Sequence, residues 1–280
     1  MNPPDGNLVL VTVEAGVVSI VLNRPERQNA WTGALGQQYF AALADAARNS
    51  DVRAIVVSGA GGSFCVGADP TVLSGLADGA PAPGGEISSY WFPLTIGKPI
   101  IAAIAGPCFG IGMQQALCCD IRLAADDAKF ATAYARRGLI AEMGMSWLLP
   151  RIVGLGHATD LLLSARLMRA PEAERINLVN RTVPAADLMA EAMDYARSLA
   201  EKCAPRSMRA IKEQLYRDLT DELPPAYDRS AALLTEAFGW PDFKEGVQSW
   251  REQRPPAFPG LPPELALLDL EGAKPTEISE

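Results

Sequence analysis

The sequence predicts an α/β core that passes, without an obvious linker, into an all-helical C-terminal half. Three observations predict it. Short apolar strands alternate with helical segments over the first half of the chain, and glycine-rich turns close two of those strands. From about residue 142 onward the strand signals almost vanish while helical ones continue.

The elements follow in order. Residues 8–13 and 17–22 are two apolar strands, and Glu14-Ala15-Gly16 between them is a hairpin turn. Thr32 reads as the N-cap of an Ala-rich helix running to about Arg48. Ala54–Ser58 is a short buried strand ending in Gly59-Ala60-Gly61-Gly62. Ile100–Ile104 is another, followed by Gly106, Gly110 and Gly112 and a helix through Cys119; Ile121–Ala124 is one more strand. Helices are expected at 143–152, 156–164, 171–176, 185–202, 205–218, 225–238 and 241–252, with Pro224-Pro225 and Pro255-Pro256 as breaks. Residues 74–86 read as a mobile low-complexity loop and the acidic tail after Leu270 as frayed. The organisation expected is a core over 1–200 and a helical region over 201–280 that serves oligomerisation and pocket closure.

Composition narrows the function. The 280 residues are 49% hydrophobic and 21% charged, with a net charge of −8. A chain with pI near 4.9 repels the phosphates that nucleic acids and anionic membranes present. No apolar run approaches the ~18 residues of a membrane span, and Met1-Asn2-Pro3-Pro4-Asp5-Gly6 lacks the basic and apolar regions of a signal peptide. The expected location is cytoplasmic. Cys65, Cys108, Cys118, Cys119 and Cys203 show no CxxC spacing, and His157 is the single histidine, so neither a metal site nor a Ser-His-Asp triad is expected. His157, at a helix start, reads as a structural or surface residue.

Neither glycine cluster is a nucleotide fingerprint: Gly110-Ile111-Gly112 lacks the third glycine of G-x-G-x-x-G, and no G-x-x-x-x-G-K-[ST] occurs. Two strand-to-turn junctions remain, Gly67-Ala68-Asp69 and Gly110-Ile111-Gly112. Paired backbone N–H groups from two such turns make an oxyanion hole, although tight turns also serve packing alone.

Four elements in register resolve more. Asn23-Arg24-Pro25-Glu26-Arg27-Gln28-Asn29-Ala30, Phe64-Cys65-Val66-Gly67-Ala68-Asp69, the run from Lys98 to Gly112 with Cys119-Asp120-Ile121-Arg122, and Glu245-Gly246-Val247 together resemble the enoyl-CoA hydratase/isomerase (crotonase) family over about residues 8–258. The resemblance implies a spiral of β-β-α units with a C-terminal helical region, assembled as a homotrimer or dimer of trimers. It implies an acyl-CoA thioester substrate, coenzyme A being part of that substrate, and no other cofactor. It places the oxyanion donors at the N–H groups of Ala68 and Ile111, and CoA contacts at Arg27 and Ala30. Gly67, Asp69, Gly110, Gln114 and Tyr134 fall at the substrate site by the same resemblance, Asp69 setting the oxyanion turn. Arg24, Arg27 and Lys98 are candidate positive charges for the polyanionic CoA, with surface solvation the alternative.

The chain departs from the family at two positions. Family hydratases use two glutamates, at the positions of Gln114 and Tyr134 here; an amide does not titrate, and a phenol with pKa near 10 is a poor base at neutral pH. Glu142 falls where family isomerases carry a single acid. Flanked by Ala141, Met143 and Met145, it should have a raised pKa suited to proton shuttling; the alternative is an acid in the first turn of a helix. Met143, Met145 and Trp147 read as core or acyl-pocket lining. The expectation is a shift of a 3-enoyl-CoA double bond to the 2-enoyl position, with a non-standard hydratase or a non-catalytic acyl-CoA binder as alternatives.

Overall fold

The computed structural model describes residues 6–80 and 90–270. Its strands and helices follow one another as β1 (Val9–Glu14), β2 (Val17–Leu22), α1 (Gly33–Arg48), β3 (Ala54–Gly59), α2 (Pro70–Ala77), α3 (Phe92–Thr95), β4 (Ile100–Ile104), β5 (Pro107–Phe109), α4 (Ile111–Leu117), β6 (Ile121–Ala125) and β7 (Lys129–Ala131). Then come α5 (Met145–Val153), α6 (Leu155–Ser164), β8 (Met168–Arg169), α7 (Ala170–Arg175), β9 (Arg181–Val183), α8 (Leu188–Lys202), α9 (Pro205–Asp218), α10 (Leu223–Ala237) and α11 (Pro241–Glu252).

The β1–β2 hairpin turns through Ala15 and Gly16, both with positive φ, as a two-residue turn matched to strand twist requires. Parallel pairing then extends a six-stranded sheet in the order β1-β2-β3-β4-β6-β9, while β5, β7 and β8 form a second, smaller sheet. Twice the chain lays one strand in the large sheet and the next in the small one before a helix follows: β4, β5 and α4 make one such β-β-α unit, and β6, β7 and α5 another. Strands β3 and β4 are buried along most of their length because helices cover both faces of the sheet. On one face α1 buries Leu35, Tyr39, Phe40 and Leu43. On the other, Ala192, Ala196 and Ala200 of α8 form a small-residue stripe against Val17, Val56 and Ile101.

Several expectations are corrected. Ser74–Ala77 is not a loop but the last turn of α2, begun by Asp69 as N-cap and Pro70 at the first position; residues 81–86 of the expected loop and the tail beyond Leu270 lie outside the described residues. Strand β9 and the two-residue β8 interrupt the half that reads as purely helical. Pro224 and Pro225 lie inside the first turn of α10, where proline costs no hydrogen bond. Lys98 is buried, not available to a ligand: its Nζ donates to the carbonyls of Ala46 (2.7 Å) and Asn49 (2.5 Å), closing the C-terminus of α1. Burial lowers its pKa to about 8, against the opposing pull of Asp51. His157 is exposed on α6.

The C-terminal helices are tied to the core through Asp120. Its Oδ2 accepts from Lys212 Nζ and from the Ile100 N–H, each at 2.8 Å, and its Oδ1 accepts from Tyr216 at 3.3 Å. Arg122, also buried, donates to the carbonyls of Cys119 and Leu178 at 2.7 Å. Beyond α9 the packing thins. Helix α10 buries no residue and exposes Leu223, Tyr227, Leu234 and Phe238. Cys65, Cys108, Cys118 and Cys119 are buried free thiols, whereas Cys203, which ends α8, is partly exposed. Burial pushes the thiols of Cys65 and Cys119 up to about 12. No helix among the described residues is long and apolar enough to cross a membrane.

Candidate active site

Two turns face each other at the carboxyl ends of β3 and β5. A single parallel bridge joins Cys65 to Cys108, with Phe109 N–H donating to Cys65 O (2.9 Å) and Cys65 N–H to Pro107 O (3.1 Å). From that bridge the two chains run alike, Cys65-Val66-Gly67-Ala68 and Cys108-Phe109-Gly110-Ile111. Each passes through a left-handed glycine, Gly67 at φ +93° and Gly110 at φ +50°, two residues after the bridge. Gly112 is fixed by contact instead: a Cβ there would lie 2.4 Å from Cys65 O.

The backbone groups at the next position are left over. Ala68 bridges Trp31 through its neighbours, Trp31 N–H donating to Gly67 O (2.7 Å) and Asp69 N–H to Trp31 O (2.9 Å), so its own N–H faces away from that partner. Ile111 opens α4, where an N–H has no acceptor within the helix. Neither N–H donates to any group among the described residues.

Behind the first turn stands a braced loop. Asn29 is fully buried with φ +56°; its Nδ2 donates to Ala60 O (2.9 Å) and Ser63 O (2.7 Å), and its Oδ1 accepts from Arg24 N–H (2.8 Å). Arg24 reaches on to Ala30 O and to Asp69, 3.1 Å away. Burial alone would raise the Asp69 pKa. The hydrogen bonds from the Thr71 N–H (3.0 Å) and hydroxyl (2.7 Å), with the Arg24 guanidinium, overcome it and lower the pKa. Asp69 is thus a committed carboxylate that caps α2.

A cavity of about 370 Å³ opens over these turns. It brings together Ala68, Gly110, Ile111, Tyr134 and Glu142, in walls otherwise made largely of apolar side chains such as Trp31, Val72 and Leu73. Leu76, in the segment expected to be a mobile loop, lines it from α2. Gly67, Asp69, Ala30 and Gln114 are not in its lining, and Arg27 is exposed outside it. Met143 lines the cavity, Met145 is core, and Trp147 lies elsewhere with the Arg151 guanidinium 4.1 Å above its ring.

Glu142 is the single carboxylate among the lining residues. It is half-buried, its side chain makes no hydrogen bond among the described residues, and desolvation holds its pKa above the ordinary glutamate value. It does not cap a helix: α5 begins after Gly144, and Glu142 precedes it in a turn closed by Met145 N–H donating to Glu142 O (3.0 Å). Tyr134 has a buried hydroxyl with no hydrogen-bond partner; burial raises its pKa and the charge of Glu142 adds to this. Among the wall residues that the sequence reading missed are Tyr90 and Arg137. Tyr90 packs near-perpendicular to Phe40 at 5.8 Å, and Arg137, exposed, is the one cationic side chain among the described lining residues. The Arg136-Arg137 pair before Gly138 was the available signal for the latter.

The comparisons with known proteins identify the family. The profile of the enoyl-CoA hydratase/isomerase family matches residues 12–261. The chain belongs to that family. A probable enoyl-CoA hydratase of Mycobacterium bovis is 34% identical over 251 residues, covering 89% of this chain and 97% of its own. The 1,2-epoxyphenylacetyl-CoA isomerase of Escherichia coli K12 is 32% identical over 258 residues, covering 90% and 98%. The crystal structure of an enoyl-CoA hydratase from Bacillus anthracis superposes with a TM-score of 0.83 at 27% identity, covering 91% of this chain and all of its own. Among its described residues, this family member carries one carboxylate, Glu142, in the wall of that cavity.

Proposed function

We propose that the protein is an acyl-CoA isomerase that moves a 3-enoyl double bond into conjugation with the thioester. The observation that carries this reading is that Glu142, desolvated and the single carboxylate among the described lining residues, shares one cavity with Ala68 and Ile111, whose N–H groups have no acceptor among the described residues. The thioester oxygen takes the place between those two donors. Glu142, ionised, removes a proton from C2; the electron pair enters the thioester as a dienolate whose oxygen the two N–H groups stabilise. The protonated acid then returns the proton at C4, giving the 2-enoyl product and the starting carboxylate. One base suffices because no water is added.

Hydration by the family's two-acid route lacks support here, since Gln114 is sealed from the cavity and Tyr134 is no base at neutral pH. Arg137 on the cavity wall and Arg27 are the cations this reading assigns to the CoA phosphates, coenzyme A entering only as part of the substrate. The exposed apolar face of α10 supports assembly into a homotrimer or dimer of trimers, which a solution mass at micromolar concentration would test.

The deciding experiment follows 3-hexenoyl-CoA by the ultraviolet absorbance of the conjugated thioester. Turnover by the wild type, lost in Glu142→Gln with thioester affinity retained, supports the reading. Tight binding with no conjugation by the wild type would leave a non-catalytic acyl-CoA binder, and hydration of 2-hexenoyl-CoA in its place would restore the hydratase.

A further inference from the structure

Gln114 is a fully buried polar side chain at a position where chemistry is absent. Its Nε2 donates to Met143 O at 3.1 Å and to Tyr90 O at 3.2 Å, with the Cys118 sulfur 3.3 Å away. Its Oε1 accepts from Gln115 Nε2 at 2.6 Å, and the same Gln115 nitrogen donates to Tyr90 O at 2.9 Å. Gln115 is buried as well, so this contact fixes which way round the Gln114 amide lies: oxygen toward Gln115, NH2 toward the two carbonyls. An amide has two donor hydrogens, and both are spent on main-chain groups of the cavity wall.

The Met143 carbonyl is an unusual thing to hold. Met143 sits at φ +53° and Gly144 at φ +80°, two successive left-handed residues immediately after Glu142. For a residue with a side chain that conformation persists only where surroundings impose it. On one side of Glu142 the imposition is its own carbonyl, tied to Met145 N–H at 3.0 Å. On the other it is the Gln114 amide.

We propose that Gln114 is a positioning residue: oriented by Gln115, it locks the 142–144 turn through the Met143 carbonyl and so aims Glu142 into the cavity. The kinetic part of this inference rests on Glu142 being the base.

The test replaces the strut and reads the acid. Gln114→Leu keeps the volume and removes both donors. In it, kcat on 3-hexenoyl-CoA is expected to fall about 10- to 100-fold, as misplacement of a catalytic group does, with KM changed by less than about threefold. In the Glu142→Gln background the same substitution should cost nothing further, because its effect runs through that carboxylate. Gln114→Glu, whose buried carboxyl stays protonated and keeps one donor, should lose less than Gln114→Leu. Where the leucine variant does not fold, the glutamate variant decides alone. A kcat within about threefold of wild type in Gln114→Leu, a matching rise in KM, or an equal loss in the Glu142→Gln background would overturn the proposal.

A second readout needs no turnover. The 13C carboxyl titration of Glu142, assigned by its loss in Glu142→Gln, should move down by about half a unit or more in Gln114→Leu, toward the solvated value. Tyr90, Tyr134 and Arg137 are the other titratable groups among the described residues of that cavity wall, and none of them is replaced in any variant. An unchanged titration sinks the strut. An inactive wild type with the titration shifted as expected would sink the isomerase reading and leave the strut standing.

Discussion

The two walls of the cavity are built on opposite plans. The polar groups offered by Ala68 and Ile111 are main chain: two parallel runs leave one strand bridge, pass through a glycine each, and present an N–H. Side chains there serve only to hold the backbone, as Arg24, Asn29 and Asp69 do. The wall that carries Glu142 depends on one side chain, placed by a turn with two left-handed residues, of which the first is a methionine. The first wall is set by the sheet and tolerates change outside its glycines. The second is set by a few hydrogen bonds, and its chemistry is lost with one carboxylate.

The largest expected effect breaks the second wall. Glu142→Gln should lower isomerase kcat by about 10²–10⁴, with acyl-CoA affinity within about threefold by calorimetry. Stability should move the other way. The folded protein binds the Glu142 proton more tightly than the unfolded chain does, so the ionised form costs stability once pH exceeds the unfolded value near about 4.3. At neutral pH the Gln variant should therefore melt at the same temperature or slightly higher, and the difference should vanish in acid.

Breaking the first wall should cost less in rate and more in fold. Gly110→Ala forces φ +50°, ψ −119° on a residue with a side chain, at about 1–3 kcal/mol. Chemical denaturation should show that loss, together with a fall in kcat; an unchanged midpoint would mean the turn relaxes freely. Gly112→Ala, with 2.4 Å to Cys65 O, should be the worse of the two for stability.

The pH profile sharpens the contrast. On the proposed mechanism Glu142 accepts the C2 proton in its ionised form, and burial raises its pKa, so kcat should rise with pH through a limb above the ordinary glutamate range. Asp69, held low, should contribute no such limb. Asp69→Asn should leave that limb in place while lowering the melting temperature through loss of the Arg24 pair. The smallest effect belongs to Tyr134→Phe. Its hydroxyl has no partner to lose, so stability should hold or improve by up to about 1 kcal/mol and kcat should stay within about threefold.

How far the sequence foretold each wall follows from the same difference. The turns of the main-chain wall were legible as glycine-rich junctions because glycines, prolines and strand periodicity are local marks of backbone geometry, while their reading as oxyanion donors came from the family resemblance; the bounds of α1 and α9 and the end of α8 stand where the pattern puts them, α8 starting at Leu188 instead of 185. The short strands β8 and β9 were not, since two or three residues show no period. Long-range polar contacts left no trace either. Nothing in Lys98-Pro99-Ile100 says that the amine will close a helix about fifty residues earlier, and nothing in Gln114-Gln115 says that the amides will meet the Tyr90 and Met143 carbonyls. The Asp69-Pro70 start of α2 was local and readable, but the low-complexity composition after it hid the helix.

The distribution of the five thiols has a practical consequence. Four are sealed in the core, and burial holds Cys65, Cys108, Cys118 and Cys119 as unreactive protonated groups. Cys203 alone reaches the surface, at the junction where α8 ends and the C-terminal helices begin. A maleimide fluorophore should therefore attach at one point in the native protein without any engineered cysteine. Energy transfer between dyes on different copies would then report how subunits are spaced, and would follow their assembly and exchange in real time.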